Sequence, residues 1–563
     1  MNAAVCTDSS TFNQNLLNMP AITANLVNIS TRNIQKARLV FDTHIRSIEL
    51  FGEADTALPY LMPGFVDAHV HVESSMLIPS EFARLAVTQG TVATVSDPHE
   101  IANVCGMEGV RFMIRNGKKV PFKFYFGAPS CVPATTFETA GAELNSQDVR
   151  QLLEDPEIHY LSEMMNFPGA LNGDPEVLRK IQAAHELGKP VDGHAPGLRG
   201  EAARQYIQLG ISTDHECFTL EEAEEKLKLG MKIIIREGSA ARNFDALIPL
   251  LQTYPDSIMF GSDDKHPDEL AISHINALCA RAVARGIDVF HVLQAACINP
   301  VQHYKLSAGL LHTGDPADFI LAENLDSFRV LSTYINGVQV AENGQTKIAS
   351  VTPETDYPNR FEATPTTISD YVINSLQSDY PFPVIEALDG QLITLKSASK
   401  PMIREDICLS DPHNDVLKIV VVNRYRPAPV AKAFIKNFGL KKGAIASSVA
   451  HDSHNIVAVG VDDESLMNAV NSIIDTRGGI SVWNETDQLV LALPIAGLMS
   501  AENGYRVGEQ YALLDAAAKR AGSTLRSPFM TLSFMALLVI PNVKLSDKGL
   551  FDGDTFSFYK PTE

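Results

Sequence analysis

The most regular alternation of apolar and polar positions in the chain is Phe65-Val-Asp-Ala-His-Val-His-Val72, in which every second residue is Asp67, His69 or His71. Strict alternation predicts a β-strand, so the three side chains share one face and the two imidazoles point together. In a helix, residues two apart would lie on nearly opposite sides. From here to Pro300, short β-branched runs alternate with longer Ala/Leu/Glu-rich stretches. This βα alternation predicts parallel strands covered by helices, and about 240 residues suit a TIM-like (β/α)8 barrel over 65–304.

The flanking segments 21–64 and 305–350 have extended patterns instead. Gly314-Asp-Pro-Ala-Asp-Phe-Ile-Leu321 and Thr333-Tyr-Ile-Asn-Gly-Val-Gln-Val340 read as strands, the latter folded at its Asn-Gly turn. Both flanks together are expected to form a small β-sandwich domain. Prolines 353, 358 and 365, set among Thr, Asn, Glu and Asp, mark 351–367 as a linker. Beyond it, strand-like Val416–Asn423 and helix-like Gly508–Ala521 predict a C-terminal α+β domain over 368–563. Residues 1–20 are polar and aperiodic, the pattern of a poorly ordered start.

Charge narrows the range of partners. Lys and Arg number 46 against 67 Asp and Glu, a net charge of −21, so a nucleic acid would be repelled over most of the surface. The first basic residue is Arg32, and the densest apolar run, Phe534–Ile540, falls far short of the ~18 residues of a membrane span. A cytoplasmic protein without membrane contact is expected. The seven cysteines, at 6, 105, 131, 217, 279, 297 and 408, form no C-x-x-C pair and read as reduced, buried side chains.

The chemistry lies at the ends of the predicted barrel strands, where a (β/α)8 barrel places its active site. His69 and His71 come first; Tyr160-Leu-Ser-Glu163 adds a carboxylate, Val191-Asp-Gly-His194 and Ile211-Ser-Thr-Asp-His215 each add an imidazole, and Ile258-Met-Phe-Gly-Ser-Asp263 adds a second carboxylate. Four imidazoles and two carboxylates without thiolate are enough for two divalent ions, and suit manganese, iron or zinc better than magnesium. Two other motifs are set aside. Asp97-Pro98-His99-Glu100 has Asp at N-cap, Pro at N1 and Glu at N3, an ordinary helix start, although His99 could reach the site from strand two. His451-Asp-Ser-His454-Asn455 either covers the barrel mouth or knits a turn in its own domain.

The motifs Val66-Asp-Ala-His-Val-His71, Glu73-Ser-Ser-Met76, Asp97-Pro-His-Glu-Ile-Ala-Asn103, Ser130-Cys-Val-Pro133, Glu163-Met-Met-Asn166, Gly193-His-Ala-Pro196, Arg236-Glu-Gly-Ser-Ala-Ala-Arg-Asn243 and Ser262-Asp-Asp-Lys-His-Pro267 resemble the adenine deaminase family of amidohydrolases. So do Gly443-Ala-Ile-Ala-Ser-Ser-Val-Ala-His-Asp-Ser-His-Asn455 and Leu493-Pro-Ile-Ala-Gly-Leu-Met-Ser500 in the third domain. The resemblance covers nearly all of the chain after residue 20; Lys265, where that family's pattern has Arg, is a minor departure. It implies hydrolysis of adenine to hypoxanthine and ammonia, two divalent metal ions per subunit and a homo-oligomer. His69 and His71 would hold one ion and His194 and His215 the other, with Glu163 as the bridge and Asp263 touching a metal and the nucleophile. Coordination would lower the pKa of a water from ~15.7 to ~7, and Asp263 would relay its proton to the departing amine. Substrate contacts fall to Asp264, Glu216 and Glu237, the last two as candidate acids for ring N1.

Two other readings remain at this stage. The same barrel chemistry could hydrolyse a cyclic amide or an N-acyl group, and a non-catalytic scaffold is conceivable although all six ligands are present. A cytidine-type deaminase is excluded, because His71-Val-Glu73 has no P-C-x-x-C to follow it.

Overall fold

The computed structural model describes residues 19–352, 356–375, 381–400 and 402–559. The segment 1–18 with Cys6, and residues 353–355 of the expected linker, lie outside the described residues. Eight parallel strands form the central barrel: β5 (Phe65–Val70), β6 (Thr91–Ser96), β7 (Lys123–Ala128), β8 (Ile158–Met164), β9 (Val191–Gly193), β10 (Thr213–Asp214), β11 (Lys232–Arg236) and β12 (Ile258–Gly261). They pair in sequence order as arcs of five and three strands. Parallel bridges at Val191–Ile211 and Val70–Asp263 join the arcs into a ring. The helices between strands pack their apolar faces on the outside, which explains why β5, β6 and β12 are buried along their whole length.

Backbone contact at the ring's seams is close. A Cβ at Gly193 would stand 2.3 Å from the Thr213 carbonyl oxygen, so only glycine lets β9 approach β10. Asp67 ties the other seam: its carboxylate accepts from Ser262 N at 2.9 Å and from Ser262 Oγ, and His274 Nε2 lies 2.8 Å away. That fixes β5 beside the segment that carries Asp263.

Both flanks of the barrel enter a single eight-stranded sheet. Its N-terminal part is β1 (Ala21–Asn28), β2 (Asn33–Phe41), β3 (Ile45–Glu53) and β4 (Tyr60–Pro63); its later part is β13 (Phe319–Ala322), β14 (Val330–Ile335), β15 (Val338–Glu342) and β16 (Gln345–Thr346). β4 is the joint, parallel to β1 and antiparallel to β13. The Asn336-Gly337 turn connects β14 to β15, with both residues at positive φ.

The third domain is built on another eight-stranded sheet. Leu417–Val422 is buried at all six positions because both faces of that sheet are covered. Val420 and Val422 meet Leu466, Val470 and Ile473 of the helix Asp463–Asp475, while Leu417, Ile419 and Val421 face the core shared with the barrel. The proline-rich stretch has neither helix nor strand from 356 to 367, yet it is not a free linker. Phe361 is buried in the domain core, Glu362 N donates to Arg424 O, and Pro358 O accepts from Ala496 N. Ser500 N donates to Met76 O and Gly504 N to Glu81, docking the domain over the barrel mouth. Among the described residues, no helix is long and apolar enough to cross a membrane, and no disulfide forms.

Candidate active site

The carboxyl ends of the barrel strands converge on one buried cluster. His69 and His71 leave β5, Glu163 comes from β8, His194 and His215 follow β9 and β10, and Asp263 lies two residues beyond β12. His71 Nδ1 lies 3.2 Å from the Asp97 carbonyl oxygen, which leaves Nε2 at 3.4 Å from both Glu163 Oε1 and Asp263 Oδ1. His215 Nε2 is 3.1 Å from Glu163 Oε2, and His194 Nδ1 is 2.6 Å from the same oxygen. Atoms that each bind one ion at about 2.0–2.2 Å lie roughly 3–3.5 Å apart, so the His71 and His215 spacings fit metal ligation, whereas the 2.6 Å His194 contact is a hydrogen bond. His69, His71 and Asp263 form one potential ligand group, and His69, Glu163 and His215 another.

The hydrogen-bond inventory leads to the same conclusion. Among the described residues, both ring nitrogens of His69 are buried without a hydrogen-bond partner, as is Nε2 of His194. Buried polar atoms are nearly always satisfied, because leaving one bare costs roughly 1–3 kcal/mol. Burial, with the His215 and His71 imidazoles beside it, pushes His69 well below its ordinary pKa and keeps it in the neutral form that binds metal.

Arg236, at the end of β11, organises the carboxylates. It is 1% exposed, and its guanidinium grips Glu216 with both Nη atoms, Nη2 at 2.8 Å, while Nη1 also donates to Asp263. Burial alone would raise the Asp263 carboxyl; Arg236 and the histidines outweigh it and hold it well below the usual range. Asp263 has φ 54, a left-handed conformation that Asp tolerates better than most residues, and this turns its side chain back toward His71. Glu163 is likewise kept ionised against burial by His194 and His215. Ser130 Oγ donates to the Glu163 carbonyl at 2.5 Å and so fixes its backbone.

Asp264 and Glu216 line the same cavity as the ligands, together with Met165, Leu392 and Leu537. Ser74 Oγ donates to Asp264 Oδ1 at 2.5 Å, and burial raises the Asp264 carboxyl. Glu237 is not brought to this cavity. The chain turns back through a Glu237–Arg242 bridge, and the Glu237 carboxylate pairs with Arg281 at 2.5 Å and Arg242 at 3.5 Å. Lys265 is buried, 3.8 Å from Glu269.

The helix-start reading of Asp97-Pro98-His99-Glu100 needs correction. A helix does begin at His99, and Asp97 Oδ1 accepts from His99 N at 3.1 Å as a cap would, but Pro98 stands at the N-cap and Glu100 closes no capping box. Asp97, His99 and Glu100 are all buried. His99 Nδ1 lies 3.0 Å from Asp97 Oδ2 and 3.6 Å from Glu163 Oε1, and Glu100 bonds to His451 and His454 of the third domain. A cap motif and an inward-facing cluster look the same in sequence, because the helix N-terminus here is itself the wall of the site. Arg236 opens the Arg236–Asn243 motif and ends the apolar run Ile233-Ile-Ile235, but neither feature marks it as the partner of two buried carboxylates.

Residues 60–340 match the amidohydrolase family, and residues 391–557 match the adenine deaminase C-terminal domain. An adenine deaminase of Sulfurovum sp. is 55% identical over 540 residues, spanning 95% of this chain and 98% of the relative. One from Salinibacter ruber is 54% identical over 547 residues, 96% and 99% of the two chains. One from Borreliella burgdorferi is 48% identical, spanning 95% and 98%. With half its residues shared along nearly its full length, this chain belongs to the adenine deaminase family.

Proposed function

We propose that this protein hydrolyses adenine to hypoxanthine and ammonia with two divalent metal ions, manganese or iron before zinc. The observation that carries the reading is the convergence of four buried imidazoles and two carboxylates in one cluster, with both ring nitrogens of His69 and Nε2 of His194 lacking a hydrogen-bond partner among the described residues, in a chain about half identical to adenine deaminases. His69, His71 and Asp263 would hold one ion, His194 and His215 the other, and Glu163, between the two histidine pairs, would bridge them. Divalent ions at such ligands acidify a water and stabilise the negative charge that develops during attack.

The chain's own groups handle protons and orientation. Asp263, kept ionised by Arg236, accepts one proton of the attacking water and returns it to the amino group as the C6–N bond breaks, while the water's second proton ends on ring N1 and gives hypoxanthine its N1–H. Asp264, steadied by Ser74, is the candidate contact to the purine. Glu216 is gripped on both oxygens by Arg236 and supports the site through that residue. The family reading also implies a homo-oligomer, and exposed Leu50 and Phe51 on edge strand β3 are consistent with a contact surface.

The test is ammonia release from adenine, adenosine, cytosine and dihydroorotate by chelator-stripped protein reloaded with manganese, with metal counted in parallel. Turnover of adenine, two ions per chain, and loss of both in Glu163→Gln are expected. Turnover of dihydroorotate alone would replace the proposal with cyclic-amide hydrolysis.

A further inference from the structure

The third domain does more than cover the barrel. Its loop 448–455 brings His451 and Asp452 into the wall of the cavity that holds Glu163, His194, His215 and Asp263. Both are nearly fully buried, at 2% and 3% exposure. Among the described residues, His451 Nε2 and Asp452 Oδ2 have no hydrogen-bond partner, and Asp264 stands 3.8 Å from that nitrogen, beyond hydrogen-bond reach.

The contrast with His454, three residues on, shows that this is not mere turn chemistry. His454 accepts from Ala450 N on Nδ1 and engages Glu100 through Nε2, so both its nitrogens serve the fold. His451 commits only Nδ1, also to Glu100, and leaves Nε2 to the cavity. The loop is held rigidly: Tyr425 Oη donates to Ser453 O at 2.6 Å, Asn455 Nδ2 to Thr139 O at 2.9 Å, and Arg424 N to Asn455 Oδ1 at 3.1 Å. Polar atoms so placed, bare and pre-positioned, discriminate strongly against ligands that leave them unpaired.

We propose that His451 and Asp452 read the purine on the side away from C6, His451 Nε2 meeting a ring nitrogen and the Asp452 carboxylate accepting the imidazole N–H. Leu392, Leu537 and Met165 supply the apolar surface against its faces. The third domain is thereby part of the substrate pocket, and its two residues set which aminopurines are accepted. This rests on the adenine reading above.

The experiment compares kcat/KM for adenine, 3-deazaadenine, 7-deazaadenine and 9-methyladenine in the metal-loaded wild-type protein, His451→Asn and Asp452→Asn. Asn reproduces the Nδ1 side of histidine and lacks Nε2. Each variant is expected to retain its metal and to lose about ten- to a hundredfold in kcat/KM for adenine, mainly through KM. The preference for adenine over one deaza analogue should fall by a similar factor in His451→Asn, and the preference over 9-methyladenine in Asp452→Asn. Loosened domain docking would lower all four substrates alike, so the preferences decide. Preferences unchanged in both variants would overturn the proposal, whereas a wild-type protein inactive on adenine would overturn the functional reading instead.

Discussion

Arg236→Met is the sharpest perturbation of the site's electrostatics. The guanidinium is 1% exposed and is shared by two carboxylates that are 1% and 2% exposed. Methionine fills much of the same volume but leaves Glu216 and Asp263 buried beside each other without the guanidinium they share, with only imidazoles nearby. Breaking a buried ion pair by removing one partner costs roughly 3–5 kcal/mol, so about 4 kcal/mol is expected here. For a folding unit the size of the barrel this lowers Tm by about 8–16 °C. Arg236 is also the chief influence that keeps Asp263 ionised, so its loss raises the Asp263 pKa and moves the acid limb of the kcat/KM profile to higher pH. Arg236→Lys keeps the charge but cannot grip both carboxylates in a fork, and should fall between the two. The assay is thermal unfolding of chelator-stripped protein, followed by the pH profile of ammonia release after reloading. A methionine variant that melts within 2 °C of wild type with an unmoved acid limb would refute the reasoning.

Three other groups make measurable predictions. Burial lowers the His451 imidazole, but Glu100 and Asp264 outweigh it and raise it to about 9, above its unfolded value of about 6.5. The stabilisation, about 3 kcal/mol, is complete below pH 6.5 and is lost as pH rises through 9; calorimetry across that window should show the decline, and a decline as steep in Glu100→Gln would contradict it. Lys544 is fully buried with only the Leu392 and Phe534 carbonyls as acceptors, and burial lowers it to about 7. Charging it therefore costs the fold as pH drops from 10.5 to 7, and Lys544→Met should gain on wild type by about 1 kcal/mol per pH unit across that range in urea titrations, with parallel curves as the contrary result. Glu237→Gln, outside the cavity, should keep kcat/KM for adenine within twofold; a hundredfold loss would return that residue to the site.

Much of this architecture is legible in the sequence because its periodicities are strong. The alternation in Phe65–Val72 identifies a strand with His69 and His71 on one face, and the β-branched runs locate the rest of the barrel. The ligand-bearing residues stand out because imidazoles and carboxylates at strand ends have little structural use there. What periodicity cannot reveal is which way a chain turns after its strand ends. Glu237 follows β11 as closely as Glu216 follows β10, yet the Glu237–Arg242 bridge turns it toward Arg281. Asp97-Pro-His-Glu satisfies the composition of a helix start so fully that its second role leaves no trace. The pairing of His451 and His454 with Glu100 spans about 350 residues of chain, a separation at which only the folded structure relates one motif to the other.

The way the third domain closes the site also has a meaning in time. Every candidate ligand, from His69 to Asp263, and the last strand of the flanking sheet, ending at Thr346, are synthesised before the covering loop at 448–455. About a hundred residues separate that sheet from His451, or roughly 5–20 s of translation at typical rates. During that interval all six candidate ligand residues exist while the loop that walls their cavity does not. Once His451 and His454 lock onto Glu100, entry must pass a mouth lined by two domains. The order of synthesis thus places the candidate ligands well ahead of the wall that closes their cavity.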